Sequence, residues 1–288
     1  MISVVIPAYN EEISVEKTIN EIVDVLKKMK LKKYEIVLVD DGSTDNTKMK
    51  AKNLGAVVLS NPENIGYGFS LKRGIEKAKY NTIIIIDADQ TYPVDEIPKL
   101  YKEYQKGFDM VVGQRTGSFF FESPLKFFLR RLLKFTVEFA ATKKIPDINS
   151  GLRIFDKDTI KTFFPHLSDT FSFTTSSTLA YIMNKKFVSF VPIKYKKRAG
   201  NSKVRLFKDS LKTSLGIIQS ITYYNPMRIF ILFSATCIFF SLLGFLASIF
   251  LNLTSGFYLG IGGLLLSLLI LSIGLLADLL KQIMNQIK

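Results

Sequence analysis

Asp87 and Asp89 stand one residue apart in IIIIDADQTYP (residues 83–93), where a run of isoleucines ends. Two carboxylates this close each raise the cost of ionising the other. A divalent cation between them removes that cost. Mg2+ or Mn2+ takes oxygen ligands and commonly combines one or two protein carboxylates with substrate phosphates. D-x-D alone is a weak signal, and a pair of acids capping the following PVDEIPKL helix is the plain alternative. Position favours the metal, because the acids emerge from a strand that reads as buried.

Two more polar clusters have chemical potential, PAYNEE (residues 7–12) and DDGS (residues 40–43). Asp40 or Asp41 could accept hydrogen bonds from a base N–H or from ribose hydroxyls. A turn followed by a helix cap at Ser43 or Thr44 suits the same residues. NIGYGFSLKRG (residues 64–74) is glycine-rich but has neither G-x-G-x-x-G nor a GK[ST] ending, so P-loop hydrolysis is not expected. A single Cys excludes an internal disulfide and a Cys-rich metal site, and a single His (His166) leaves little room for His-based catalysis or zinc.

The elements that must position these groups alternate. ISVVIP, EIVLVDD, AVVLS, NTIIIID and DMVVG read as strands. Between the first two, EEISVEKTINEIVDVLKKMK has helical spacing of Ile13, Ile19, Ile22, Val23 and Leu26. Apolar strands separated by helices predict an α/β fold with a mostly parallel sheet covered on both faces. Ligands of such sheets bind beyond the carboxyl ends of the strands. PAYNEE, DDGS and DADQ all fall at those ends.

Composition shifts near residue 229. Residues 229–251 run without a charge, and residues 256–277 form a second apolar stretch. Each exceeds the ~20 residues that cross a bilayer's hydrocarbon core, and the NLTS between them predicts a tight hairpin. Lys203, Arg205, Lys208, Lys212 and Arg228 precede the first stretch, and Lys281 and Lys288 follow the second. By the positive-inside rule both flanks are expected in the cytosol. MISVVIP reads as a strand, so no cleaved signal peptide is expected. The formal charge is +14, of which residues 229–288 carry +1 (Lys281 and Lys288 against Asp278), leaving +13 on the head. Such a head suits anionic partners such as lipid headgroups and phosphates. Residues 118–144 and 205–228 mix aromatics with bases, as helices lying in a membrane interface do. The expected division is therefore a catalytic domain over 1–204 (118–144 a membrane-interface helix), an amphipathic segment over 205–228 and a two-helix anchor over 229–288.

VVIPAYNEE, IVLVDDGSTD, NIGYG, DAD, VVGQR, DINSGLRIF and KRAGNSK, in this order, resemble family 2 glycosyltransferases of the GT-A fold. More narrowly they resemble dolichyl-phosphate mannose synthases and related polyprenyl-phosphate glycosyltransferases. The resemblance covers residues 2–228. It implies that Pro7, Tyr9 and Glu11, with Asp41 or Asp40, contact the nucleotide's base and ribose. It makes Asp87 and Asp89 the ligands of Mg2+ or Mn2+ on the donor's diphosphate. It places Arg115 and Arg130 or Arg131 on the acceptor phosphate, and Arg198 and Lys203 in a basic loop over the phosphates. Arg suits that work because it pairs bidentately with phosphate oxygens. Two positions depart from the pattern: Thr91 stands where a metal-binding Gln is usual, and Lys134 replaces a Ser.

Relatives that glycosylate a hydroxyl usually carry a carboxylate base, often in an ED pair before QxxRW. The corresponding SDTFSFTTSS here has only Asp169, and the chain has no Trp. A hydroxyl must lose its proton as it attacks, whereas a phosphate monoester near neutral pH is already an anion (second pKa about 6). The expected partners are thus a nucleotide-diphosphate sugar (GDP-mannose, UDP-glucose or UDP-N-acetylglucosamine), dolichyl or polyprenyl phosphate, and membrane lipids. A hydroxyl acceptor with Asp169 as base is the rival within the family. A non-catalytic, nucleic-acid-binding membrane protein leaves the D-x-D at a strand end unexplained, so no nucleic-acid partner is expected.

Overall fold

The computed structural model describes residues 1–116, 124–196 and 206–287. The chain divides into two compact units, Met1–Leu133 with Lys144–Ile217, and Lys134–Lys143 with Ile218–Lys288.

The first unit is built on a seven-stranded sheet. Its strands are β1 (Ile2–Ala8), β2 (Tyr34–Asp40), β3 (Val57–Ser60), β4 (Thr82–Ile85), β5 (Met110–Thr116), β6 (Arg153–Asp156) and β7 (Val188–Lys194), in the order β3-β2-β1-β4-β6-β5-β7. Every pairing is parallel except those of β6, which runs against both β4 and β5. The expected mostly parallel α/β sheet is therefore present, with one reversed strand inside it. All seven residues of β1 are buried, as a central strand covered on both faces requires.

Helix α1 (Val15–Lys28) buries Val15, Thr18, Ile19, Ile22 and Leu26, a stripe at helical spacing. Ile13, expected on that stripe, is 78% exposed because the helix begins two residues later. The start of α2 (Thr47–Asn53) also differs from expectation. Ser43 and Thr44 do not cap it; the Asp45 carboxylate accepts from the Thr47 N–H at 3.0 Å. Ser43 and Thr44 are engaged by the neighbouring loop instead, where Ser43 Oγ accepts from Asn10 N (2.9 Å) and Asn10 Oδ1 from Thr44 N (2.8 Å). These bonds tie the loop after β1 to the loop after β2.

Further helices are α3 (Tyr67–Lys77), α4 (Ile97–Tyr104), α6 (Lys157–Phe163) and α7 (Phe173–Met183) in the first unit, and α5 (Pro124–Ala141) and α8 (Leu206–Tyr224), each of which has residues in both units. Helix α7 is buried from Phe173 to Ile182 although Thr174, Thr175, Ser176, Ser177, Thr178 and Tyr181 all carry hydroxyls. Ser176, Ser177 and Thr178 return their O–H groups to carbonyls one turn back, at 3.1, 3.0 and 2.9 Å. Burying those hydroxyls leaves their oxygens available as acceptors.

The second unit contains α9 (Pro226–Leu251) and α10 (Thr254–Ile287), both long and apolar enough to cross a membrane. Asn252, left-handed at φ 53°, turns the chain between them. Small residues let the two backbones approach: a Cβ on Gly244 would meet Gly256 O at 2.8 Å. Ser234 Oγ donates to Ser267 O at 3.1 Å across the same seam. Leu243, Phe250, Leu265 and Leu269 point outward and exposed, the arrangement that hydrocarbon surroundings call for.

Candidate active site

Because β6 is reversed, its first residue lies at the same rim as the carboxyl ends of its neighbours; Arg153 stands opposite Ile85 of β4 and Val112 of β5. Asp40, Asp41, Asp87, Asp89, Arg115 and the 145–152 loop therefore meet at one edge of the sheet.

Asp89 is 8% exposed, and its Oδ1 accepts from both the Thr91 N–H (3.1 Å) and the Thr91 O–H (2.6 Å). Gln90 between them adopts a left-handed backbone at φ 62°, which turns Thr91 back onto the carboxylate. Asp87 is half-buried and its Oδ1 accepts the Tyr67 O–H at 2.7 Å. Burial, reinforced by the Asp87 charge, pushes the Tyr67 hydroxyl well above its ordinary range, so it stays a proton donor. Gly151 closes the other side of Asp87, where an added Cβ would lie 2.6 Å from Oδ2. Among the described residues no third His, Cys, Asp or Glu joins a metal-holding group. Two carboxylates in a glycine-lined cradle fit a hard divalent cation whose other positions go to phosphate oxygens and water. Gly151→Ala should displace Asp87 and lower kcat by about 10^2-fold, the order expected for misplacement of a reacting constellation by about 1 Å, with the thermal midpoint little changed.

The nucleotide-side residues expected from the sequence lie on the first two strands and the loops after them. Pro7 is buried within β1 opposite Val39, and Tyr9 is half-buried at the strand's end. Glu11, also half-buried, accepts the Ser14 hydroxyl at 3.1 Å and donates its N–H to Thr47 Oγ1 at 2.8 Å. Asp40 accepts the Ser43 N–H at 3.1 Å. Asp41 grips the glycine-rich loop: its carboxylate accepts from Asn61 Nδ2 (2.6 Å), Ile65 N (3.1 Å) and Gly66 N (3.0 Å).

Arg115 is met by Asp147 of DINSG. Nε and Nη2 donate to the two carboxylate oxygens at 2.8 Å each, and the Arg115 N–H adds a third bond at 3.0 Å. Burial opposes both charges, yet these bonds hold the Arg115 guanidinium above its ordinary range and the Asp147 carboxyl below its own. Tyr195 lies under the guanidinium with 5.5 Å to its ring centroid. Arg131 is exposed. The Arg130 side chain, Arg198 and Lys203 lie outside the described residues. The Lys196 N–H donates to Thr91 O at 2.9 Å beside Asp89.

Arg153 stands in the DINSGLRIF motif with no role read for it from sequence, and it is the largest fully buried side chain among the described residues. Its Nε donates to Ser150 O (2.7 Å), Nη2 to Ile148 O (2.8 Å), and Nη1 to Thr178 Oγ1 (2.7 Å) and Ser177 Oγ (3.2 Å). These acceptors are neutral, as is the Met110 sulfur 3.7 Å from Nη1. Burial pulls its pKa down to about 10, with the Asp147 charge opposing, so it remains a cation at neutral pH. The 148–150 backbone, and with it Gly151, is pinned by this side chain. Asp169 accepts the Lys72 ammonium at 2.7 Å.

Residues 3–164 match the family Glycosyl transferase family 2, more than half of the chain. The chain belongs to that family. Undecaprenyl-phosphate 4-deoxy-4-formamido-L-arabinose transferase of Pseudomonas fluorescens (strain Pf0-1) is 32% identical to this family 2 chain over 186 residues, 59% of this chain and 54% of that protein. The protein of the same name from Edwardsiella ictaluri (strain 93-146) is 28% identical over 271 residues, 88% of this chain and 76% of that one. The chain spans just over half the length of the first curated relatives it matches. Among solved structures, glucosyl-3-phosphoglycerate synthase from Mycobacterium tuberculosis, in complex with Mn2+, UDP-glucose and phosphoglyceric acid, superposes with a TM-score of 0.62 at 19% identity, covering 77% of this chain and 79% of that one. That likeness is one of fold, and it agrees with the GT-A architecture expected from the motifs.

Proposed function

We propose that this family 2 chain transfers a monosaccharide, with inversion, from a nucleotide-diphosphate sugar to a dolichyl or polyprenyl phosphate at the cytosolic face of a membrane. Residues 1–204 would carry the chemistry, 205–228 would lie in the interface and 229–288 would form the anchor. The polyprenyl-phosphate acceptor in the names of its curated relatives supports the reading. The observation that carries it is the state of Asp169, the acid in the stretch where hydroxyl-glycosylating relatives keep their base. Its carboxylate is taken by Lys72 at 2.7 Å. An acceptor that arrives as an anion has no proton to surrender.

In this reading Pro7, Tyr9 and Glu11, with Asp41 or Asp40 beside them, line the nucleotide's base and ribose, and Asp41 also holds the glycine-rich loop. Asp87 and Asp89 would hold Mg2+ or Mn2+, which when bound would supply neutralisation of the donor's diphosphate. Arg115, oriented by Asp147, joins Arg130 or Arg131 in holding the acceptor phosphate. An oxygen of that phosphate attacks the anomeric carbon as the bond to the diphosphate breaks on the opposite face. The electron pair leaves with the nucleoside diphosphate, where Arg198 and Lys203 add positive charge.

The test is transfer in detergent with Mn2+ or Mg2+, offering labelled GDP-mannose, UDP-glucose and UDP-N-acetylglucosamine separately with polyprenyl phosphate. Label entering the organic phase with one donor is the expected result. Because the relatives' names specify a formamido pentose, the corresponding nucleotide sugar is a fourth donor to offer. No transfer from any of the four by folded protein would overturn the lipid-phosphate acceptor for those sugars. Hydroxyl acceptors, with Asp169→Asn as the probe, would then be next.

A further inference from the structure

Each carboxylate of the D-x-D has one oxygen held by a neutral hydroxyl from the protein. Tyr67 donates to Asp87 Oδ1 at 2.7 Å, and Thr91 to Asp89 Oδ1 at 2.6 Å. We infer that Tyr67 and Thr91 are positioning residues that fix the orientation in which Asp87 and Asp89 meet a divalent cation, an inference that rests on the metal-assisted transfer proposed above.

A hydroxyl can aim a carboxylate only if it is itself fixed, and both are. Tyr67 opens α3 directly after Gly66, whose N–H is gripped by Asp41 at 3.0 Å. Its ring stacks on Phe171 with 5.6 Å between centroids. Gly66 lies so close to the 169–170 backbone that a Cβ there would meet Asp169 O at 2.7 Å, so this turn cannot shift alone. Thr91 is fixed by its own carbonyl, which accepts from Lys196 N at 2.9 Å, and by the left-handed turn at Gln90. Two separate parts of the fold, the glycine-rich loop and the end of β7, thus each set one acid.

The donor set explains why such support matters. With no third acidic, His or Cys ligand among the described residues, the angle between Asp87 and Asp89 is most of what the protein contributes to the cation's shell. Thr91 stands where the motif pattern leads one to look for a third ligand, but its O–H is spent on Asp89. Its contribution is orientation. Hydrogen-bond partners that orient metal ligands are commonly worth about 10–100-fold in metal affinity.

The experiment is equilibrium dialysis of the full chain in detergent across a range of free Mn2+, with UDP or, separately, GDP on both sides. Tyr67→Phe keeps the ring stack and removes only the hydroxyl. Thr91→Val removes the hydroxyl at nearly constant shape, and Thr91→Ser restores it. The expected result is Mn2+ affinity weakened about 10–100-fold in Tyr67→Phe and in Thr91→Val, and close to wild type in Thr91→Ser, with thermal midpoints alike. Equal affinity in all four proteins, or Thr91→Ser as weak as Thr91→Val, overturns the inference while leaving the metal reading intact. Wild-type protein that holds no Mn2+ with either nucleotide overturns both.

Discussion

Asp89→Asn should lower sugar transfer by about 10^3-fold or more, the order lost when charge stabilisation of a leaving group is removed. The replacement isolates charge from shape. Asn at this position still offers an oxygen to the Thr91 N–H and O–H, which Asp89 now accepts at 3.1 and 2.6 Å. The turn from Asp89 to Thr91, and the Lys196 bond that follows from it, should survive. Transfer rate and thermal midpoint measured on the same preparation therefore separate the two roles. Lost transfer with an unchanged midpoint assigns Asp89 to the chemistry. Transfer retained within about 10-fold would remove it from the cation's shell, because a carboxamide is a far weaker ligand for Mg2+ or Mn2+.

The second large effect is on stability. Arg153→Met should destabilise the first unit by about 2–4 kcal/mol. Losing the guanidinium relieves the cost of burying a charge, and taken alone that favours methionine. Against it, Ile148 O and Ser150 O lose their donors inside the protein, at about 1–3 kcal/mol for each group left unsatisfied. Ser177 and Thr178 lose a partner as well, although each keeps its own bond to Thr174 O. The loss outweighs the recovered solvation because Ser150, like Arg153, has 0% exposure, so its carbonyl cannot turn to water, and the bonds to α7 are lost with it. Thermal unfolding by circular dichroism should show the midpoint fall by about 5–15 °C. No change in the midpoint would mean that the 148–151 turn holds its shape without Arg153.

The expectations from sequence were best where the signal was local. The five strands from ISVVIP to DMVVG rest on continuous β-branched runs, and each run coincides with a strand. The D-x-D was legible because its two acids are neighbours in the chain. Strand β6 was not, since its four residues begin with an arginine whose burial makes sense only once carbonyls of the turn just before it and hydroxyls of α7, 24 and 25 positions on, surround it. Strand β7 was hidden by Pro192, which an edge strand tolerates because one side of its ladder is unpaired. Tyr67, Asp147 and Gly151 went unnoticed as site residues for one shared reason. Each acts on a residue 20 or more positions away, Tyr67 on Asp87, Asp147 on Arg115 and Gly151 on Asp87. No window on the sequence contains both partners.

The reversed strand β6 gives the rim two kinds of supplier. The segments carrying Asp40, Asp41, Asp87 and Asp89 reach it after leaving a strand, whereas the segment carrying Asp147 and Gly151 reaches it before entering one. A loop leaving a parallel strand must travel back through a helix, so its length and course are bound to the packing of that helix. The segment feeding β6 is free of that return journey. Its length can change with the strand ladder undisturbed, so the segment entering β6 can diversify separately from the segments that leave β1, β2 and β4 at the same rim.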